Sequence, residues 1–260
     1  MPLDSLSPSQ ITLYLTCSLK YRFQYIDRLP RLTQSANLVF GGAIHAALEW
    51  LHKERKKGRQ PALDEILRVF EGDWNAQILG AKVVFADNGD SAEVIVWKGK
   101  ELLSQFYHQF ACTVKEAELH FQLPLVNPQT GEVLDVPFRG VIDLVEDGDI
   151  LDEFKTSQKS WSSLDLRDNI QLTAYAYAYK MLFGRPPKTL RLINLVRTKN
   201  VKIEPIPTER GENDYVRLFH LGKEVRKGVK TQVFIPNRGC WLCKDCEYDQ
   251  DCREWTGNER

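Results

Sequence analysis

The stretch from residue 136 to 156 constrains this chain most. Two short β-rich runs, VPFRGVIDLV (136–145) and ILDEFKT (150–156), flank the turn-forming pair Asp147–Gly148 and read as a hairpin. Successive side chains on a strand leave opposite faces, so Glu153 and Lys155 share one face while Asp152 and Phe154 take the other. Whether Asp143 joins Glu153 depends on the turn. A three- or five-residue loop centred on Gly148 sets Asp143 against Glu153, whereas a two-residue Asp147–Gly148 turn sets it against Asp152. The odd loop is the favoured reading, because it gathers two acids and an amine on one face. Carboxylates hold a hard divalent cation, and that combination suits hydrolysis of a phosphodiester.

The flanking segments place this hairpin in a sheet. A strand over 116–126 precedes it; a helix from about Asp168 to Phe183 follows, closed by Gly184 and Pro186–Pro187; the strand LRLINLVRT (190–198) comes next. This order predicts an α/β fold with a central mixed β-sheet flanked by helices. Upstream, helical periodicity runs through 7–26, 40–58 (ending near Gly58), 63–79 and from Ser91 to about Ala111; a last helix around 212–228 leads into a cysteine-bearing tail. His52 and Glu49, on the second of these helices, are expected at the surface, and Asp152 is expected to face away from the acid pair. No repeat or long linker divides the chain. It reads as a single domain, 1–260, with a mainly helical region (1–113), an α/β core (114–205) and a C-terminal helix and tail (206–260).

Lys plus Arg equals Asp plus Glu, 35 each, so no overall positive field gathers a polyanion. Local basic runs exist at Lys53–Arg59 and Arg191–Lys202, and a groove can be basic without the whole being so. Tyr21, Phe23 and Tyr25, interleaved with Lys20, Arg22 and Arg28, could line a single-strand path, although alternation sends half of them to the core. No apolar run approaches the roughly 20 residues of a membrane span, and residues 1–20 lack a secretory pattern. The expectation is a cytoplasmic protein without a membrane partner.

Four of the six cysteines crowd the C-terminal end: Cys240, Cys243, Cys246 and Cys252. In a reducing compartment this argues for metal before disulfides. Cys243-x2-Cys246 and Cys252 supply three thiolates, and the fourth could be Cys240, Cys17 or Cys112. Nearness favours Cys240, and with it zinc is as plausible as iron and sulfide.

GVIDLV followed closely by ILDEFKT resembles motifs II and III of the PD-(D/E)XK nucleases, with Asp143, Glu153 and Lys155 in the acid, acid and lysine positions. Gly41-Gly42-Ala43-Ile44-His45 resembles the early histidine motif of the RecB-like branch, and Gln171-x3-Tyr175 its glutamine–tyrosine helix. Glu118 resembles a glutamate on the first sheet strand of that branch. The resemblance implies a restriction-endonuclease-like core and a DNA nuclease, acting as an exonuclease, that uses Mg2+ or Mn2+ bound by His45, Asp143 and Glu153. Lys155 would then act on the water, with Gln171 and Tyr175 beside the site and Glu118 in a supporting role. The cysteine spacing resembles that of AddB and CRISPR-adaptation nucleases, which implies one four-iron four-sulfur cluster on Cys17, Cys243, Cys246 and Cys252. Implied partners are DNA and a separate helicase or replication or recombination protein. The alternative is a non-catalytic DNA-binding module, or an interaction module stabilised by zinc or by iron and sulfide.

Overall fold

The computed structural model describes residues 4–31, 33–80, 82–85 and 91–257. Helix α1 (Pro8–Thr16) starts where Ser7 accepts from the Gln10 N–H and Pro8 occupies the first turn. The single helix expected over 7–26 is not formed. The chain is extended at Cys17 (φ −158°, ψ 100°), resumes as α2 (Ser18–Tyr21) and passes into a π-helical turn, Arg22–Ile26. A distant strap causes the break: the Ser18 hydroxyl accepts from Ile235 N–H at 2.6 Å, and the Leu19 N–H donates to Ile235 O at 3.3 Å. Such bonds compete with the helical ladder, and periodicity cannot foresee them.

A two-residue strand, β1 (Gln34–Ser35), leads into α3 (Ala36–Lys56), capped by Ser35 and followed by Gly58 at φ +81°. Next come α4 (Leu63–Gly80), β2 (Val83–Val84, parallel to β1) and α5 (Ala92–Gln109), with Ser91 as its cap. Then follow β3 (Val114–Val126), β4 (Val133–Glu146), β5 (Ile150–Ser157), α6 (Ser163–Leu166), α7 (Ile170–Phe183), β6 (Thr189–Val196) and β7 (Lys202–Thr208). Helices α8 (Glu212–Lys230) and α9 (Asp249–Trp255) complete the order. The sheet runs β3-β4-β5-β6-β7, with β5 parallel to β6 and antiparallel pairings at β4–β5 and β6–β7. This is the mixed α/β sheet expected. Strand β7 was not foreseen: Pro205 and Pro207 argue against a strand, and β7 accommodates them by lying at the sheet edge.

The chain forms two compact units. One comprises residues up to 32, 121–140 and 210 onward; the other comprises 33–120 and 141–209. In the first, Leu6 bridges to Phe138, and Arg226 and Lys230 of α8 pair with Asp135. Here Tyr21 and Phe23 are buried, Lys20 pairs with Glu247 at 2.6 Å and Arg22 with Asp27 at 2.9 Å, so most of the aromatic–basic run is core and ion pairs. In the second unit, α3, α4 and α5 build an apolar core with one sheet face, including Phe40, Phe70, Leu102, Phe106, Phe154 and Ile193. Gly99 is required there, because a Cβ would lie 2.2 Å from the Phe70 ring.

His52 belongs to this core, not to the surface. It is 1% exposed, its ring stacks on Phe154 (5.4 Å, 3°), and neither ring nitrogen makes a well-formed hydrogen bond, the Leu48 carbonyl being a polar neighbour. Residues 44, 48 and 52 form one helical stripe, and the stripe faces inward. Burial pushes its pKa down to about 3, with Arg55 adding to the effect. A buried polar group without a well-formed partner costs up to about 1–3 kcal/mol, so His52→Phe should raise unfolding free energy by about 1 kcal/mol at neutral pH. The unfolded chain takes up a proton below about pH 6.5 that the folded imidazole refuses. The gap between wild type and variant should therefore widen as pH falls from about 6.5 toward 3, as denaturant titrations at several pH values will measure.

Candidate active site

The β4–β5 pairing places the acids. Leu144 faces Asp152, Val145 faces Leu151 and Glu146 faces Ile150, each pair summing to 296, so the same register sets Asp143 against Glu153. The loop is the three-residue one, Asp147–Gly148–Asp149, with Gly148 at φ +83° and Asp149 at φ +63°. The Asp149 carboxylate accepts from Tyr179 at 2.5 Å and from Arg185 at 2.9 and 3.0 Å, while its carbonyl accepts from Lys188 N–H at 2.9 Å. Arg185 and Tyr179 hold this carboxyl well below the usual range.

On the face shared by Asp143 and Glu153, Asp143 Oδ2 accepts from the Phe154 N–H at 2.9 Å and lies 3.7 Å from His45 Nδ1. Lys155 Nζ lies 2.5 Å from Glu153 Oε1. Burial raises the Asp143 pKa well above the ordinary value and the Glu153 charge raises it further, while Lys155 and the Phe154 N–H oppose them. The Lys155 pKa is raised: burial pulls it down, but the Glu153 and Asp143 charges outweigh that. His45 is driven toward its neutral form by burial, against the pull of Glu153 and the Phe154 carbonyl. Helix α3 brings His45 here as part of the helix whose apolar stripe enters the core, and Gly41, one turn earlier, leaves a Cβ-sized gap 3.2 Å from Thr156 Oγ1.

On α7, Gln171 Nε2 donates to Tyr175 OH at 2.7 Å, as the four-residue spacing predicts. Tyr175 is 4% exposed; burial, then the charges of Glu153 and Asp143, raise its pKa far above the ordinary value and keep it a phenol. Glu118 sits in β3 at φ +54°, a left-handed conformation unusual for glutamate and typical of a strand irregularity beside a site. Its pKa is pushed up to about 7 by burial, then by Glu49 and Glu153. Glu49, expected only as surface, thus borders the site, its side chain 37% exposed and ion-paired with Lys53. Its position four residues after His45 was the available signal. Asp152 leaves the opposite face, fully buried and held by Arg191 Nε at 2.7 Å; Arg191 Nη2 also reaches Glu146 at 2.5 Å.

These residues suit a hard divalent cation. Glu153 is 1% exposed; the Lys155 ammonium lies beside its Oε1, and among the described residues no hydrogen-bond donor reaches Oε2. A buried carboxylate with an oxygen left over has room for a second cation. Two carboxylates and a backbone carbonyl are oxygen donors of the kind Mg2+ or Mn2+ takes, while the His45 imidazole is a softer nitrogen donor that Mn2+ accepts more readily than Mg2+. Among the described residues no three or more His, Cys, Asp or Glu groups are drawn in on one point as a finished ion-binding set; at Glu153 the Lys155 ammonium stands close by instead.

The cysteines form a second constellation within the first unit. A cavity of about 490 Å3 is lined by Cys17, Cys243, Cys246 and Cys252, with Lys20 and Arg238 on its wall. Cys240 is not part of this lining, but its Sγ is 3.7 Å from that of Cys243. The Cys243 thiol is pushed up to about 11 by burial, then by Cys240 and Cys17. Cys112 lies in the second unit, where burial, then Glu146, raises its thiol to about 11.

A sequence profile of the PD-(D/E)XK nuclease superfamily matches residues 5–253. The chain belongs to that superfamily, a class of hydrolases that cut nucleic acids. Among solved structures, a protein of Eubacterium rectale described as a candidate exonuclease aligns over 94% of this chain and 88% of its own, with TM-score 0.63 and 12% identity, a likeness of fold. A second, SSO0001, aligns over 94% of both chains with TM-score 0.37 and 16% identity. No curated protein matches by sequence. Among the described residues no helix is long and apolar enough to cross a membrane.

Neutralising Glu153 should expose its hold on Asp143. Glu153→Gln removes the charge that raises the Asp143 pKa and leaves Lys155 to face Asp143 alone, so the Asp143 carboxyl should titrate at lower pH by NMR. An Asp143 titration that does not move would contradict the account of the acid pair.

Proposed function

We propose that this protein is a divalent-metal-dependent deoxyribonuclease, acting as an exonuclease and carrying a four-iron four-sulfur cluster. The observation that carries the nuclease reading is the β4–β5 register, which sets Asp143 opposite Glu153 on one sheet face, with Glu153 buried and the Lys155 ammonium 2.5 Å from its Oε1. His45, Asp143, Glu153 and the Phe154 carbonyl would hold Mg2+ or Mn2+, which supplies Lewis-acid charge to the phosphate and its attacking water. Lys155, kept as ammonium by the two acids, orients that water and faces the negative charge that builds on the phosphate oxygens. Tyr175, kept protonated, can donate to a phosphate oxygen while Gln171 fixes its hydroxyl. Glu118 supports the site from β3 as a carboxyl poised near neutral pH.

Exonuclease action is supported by the description of the Eubacterium rectale neighbour, and the RecB-like branch by the His45, Gln171 and Tyr175 pattern. The profile match runs through both compact units, which favours a single nuclease domain. The cluster reading rests on the four cysteines that share one cavity. Thiolates are the donors such a cluster takes, and Cys17 would tie the first helices to the tail. A cytoplasmic role in DNA repair, recombination or replication, beside a separate helicase, completes the proposal.

Purified protein given end-labelled single- and double-stranded DNA should cut with Mg2+ or Mn2+ and stop in chelator. Lys155→Ala and Asp143→Ala should each lower kcat by about 10²–10⁴-fold without unfolding the protein. A well-folded preparation that leaves every DNA intact with either ion would end the proposal.

For the cluster, anaerobically purified wild type should be brown. Cys17→Ala should bleach it and Cys240→Ala should not; equal colour in both variants would refute the ligand assignment.

A further inference from the structure

Cys240 is a thiol with no place in the proposed ligand set, yet it is built into a defined turn. It caps the 3-10 turn Trp241–Cys243, and its carbonyl accepts from the Cys243 N–H at 3.1 Å. Its Sγ lies 3.7 Å from that of Cys243, whose own sulfur is also tied to Asn237 O at 3.3 Å. Cys243 is exposed and Cys240 half-buried, so a small thiol reagent can reach the pair. A Cys-x-x-Cys turn with its sulfurs already in contact needs little more than side-chain rotation to reach bonding distance.

We propose that Cys240 and Cys243 form an oxidisable dithiol, giving Cys243 two mutually exclusive fates, disulfide partner or cluster ligand. The second half of this inference rests on the cluster reading above; the first half does not. The reactant is a small-molecule disulfide such as oxidised glutathione. One cysteine loses its proton and attacks, breaking the glutathione S–S bond and releasing one glutathione thiolate. The other cysteine then loses its proton and attacks the mixed disulfide, releasing the second glutathione. Two cysteine thiols are oxidised by two electrons, the glutathione disulfide is reduced to two thiols, and the two protons pass to those products. While the bond stands, three of the four cavity cysteines remain available, too few for four thiolate ligands. A reducing thiol pool reopens the site.

The test uses full-length protein stripped of metal and reduced, then exposed to oxidised glutathione. Intact mass should fall by about 2 Da, and proteolysis should yield a peptide cross-linked at Cys240 and Cys243. Subsequent iron and sulfide should give no visible cluster absorption until dithiothreitol is added. Cys240→Ser, treated identically, should take up the cluster at once. Absence of the cross-link, or pairing of Cys243 with another cysteine, overturns the proposal. A cross-linked wild type that loads as readily as Cys240→Ser overturns the exclusivity. If reduced wild type and Cys240→Ser both refuse iron and sulfide while the cross-link forms, the cluster reading fails and the exclusivity fails with it, the dithiol alone surviving.

Discussion

The register of the β4–β5 hairpin governs the rest of the candidate catalytic face. A slip of one residue would set Asp143 against Asp152 and turn Glu153 and Lys155 to the wrong side. Three features resist that slip. Gly148 and Asp149 both take left-handed backbone conformations, which fix a three-residue loop. The Asp149 carboxylate is gripped by Tyr179 and Arg185 from the end of α7 and the segment after it. The parallel ladder from Ile150–Thr189 to Ser157–Val196 then holds β5 along its whole length. The loop, a helix terminus and a neighbouring strand all specify the same alignment, the kind of agreement between levels that makes a structure unique.

Strand β5 also shows how two neighbouring acids acquire different roles. Asp152, fully buried, receives two bonds from Arg191, so its charge is matched inside the protein. Glu153, equally buried on the other face, has the Lys155 ammonium 2.5 Å from one oxygen and no hydrogen-bond donor on the other, and it stands against Asp143. Pairing makes Asp152 part of the scaffold. Asp143, opposite Glu153, carries the strongly raised pKa of the pair, and strongly perturbed groups of this kind gather at functional sites. Membership of the PD-(D/E)XK superfamily fits that division of labour, because the lysine two residues on completes the acid–acid–lysine set.

Much of this arrangement was legible in the sequence where local chemistry decides it. The alternation of Glu153 and Lys155, the odd loop around Gly148, the Gly184 terminus at φ +72° and the Gln171–Tyr175 spacing all follow from backbone periodicity and turn chemistry. What escaped depends on partners distant in the chain. The break at Cys17 is set by Ser18 bonding to Ile235, 217 residues away. His52 looked polar and therefore exposed, but the Phe154 and Phe106 rings enclose it. Strand β7 was hidden by its prolines, and the left-handed Glu118 has no local signature.

The choice between Cys17 and Cys240 turns on the same difference between local and distant partners. Cys240 is three residues from Cys243, and a tight turn brings such neighbours together whether or not a metal is involved, so their 3.7 Å contact says little about coordination. Cys17 is 226 residues from Cys243, and closing so long a loop costs far more chain entropy. Its presence on the same cavity wall requires the specific extended break after α1 and the Ser18–Ile235 strap. Under the proposed cluster, a long-range convergence of this kind favours Cys17 as fourth ligand over a contact the chain makes for itself. Cys240 would then be available for chemistry that nearness does favour, exchange of a bond with the sulfur beside it.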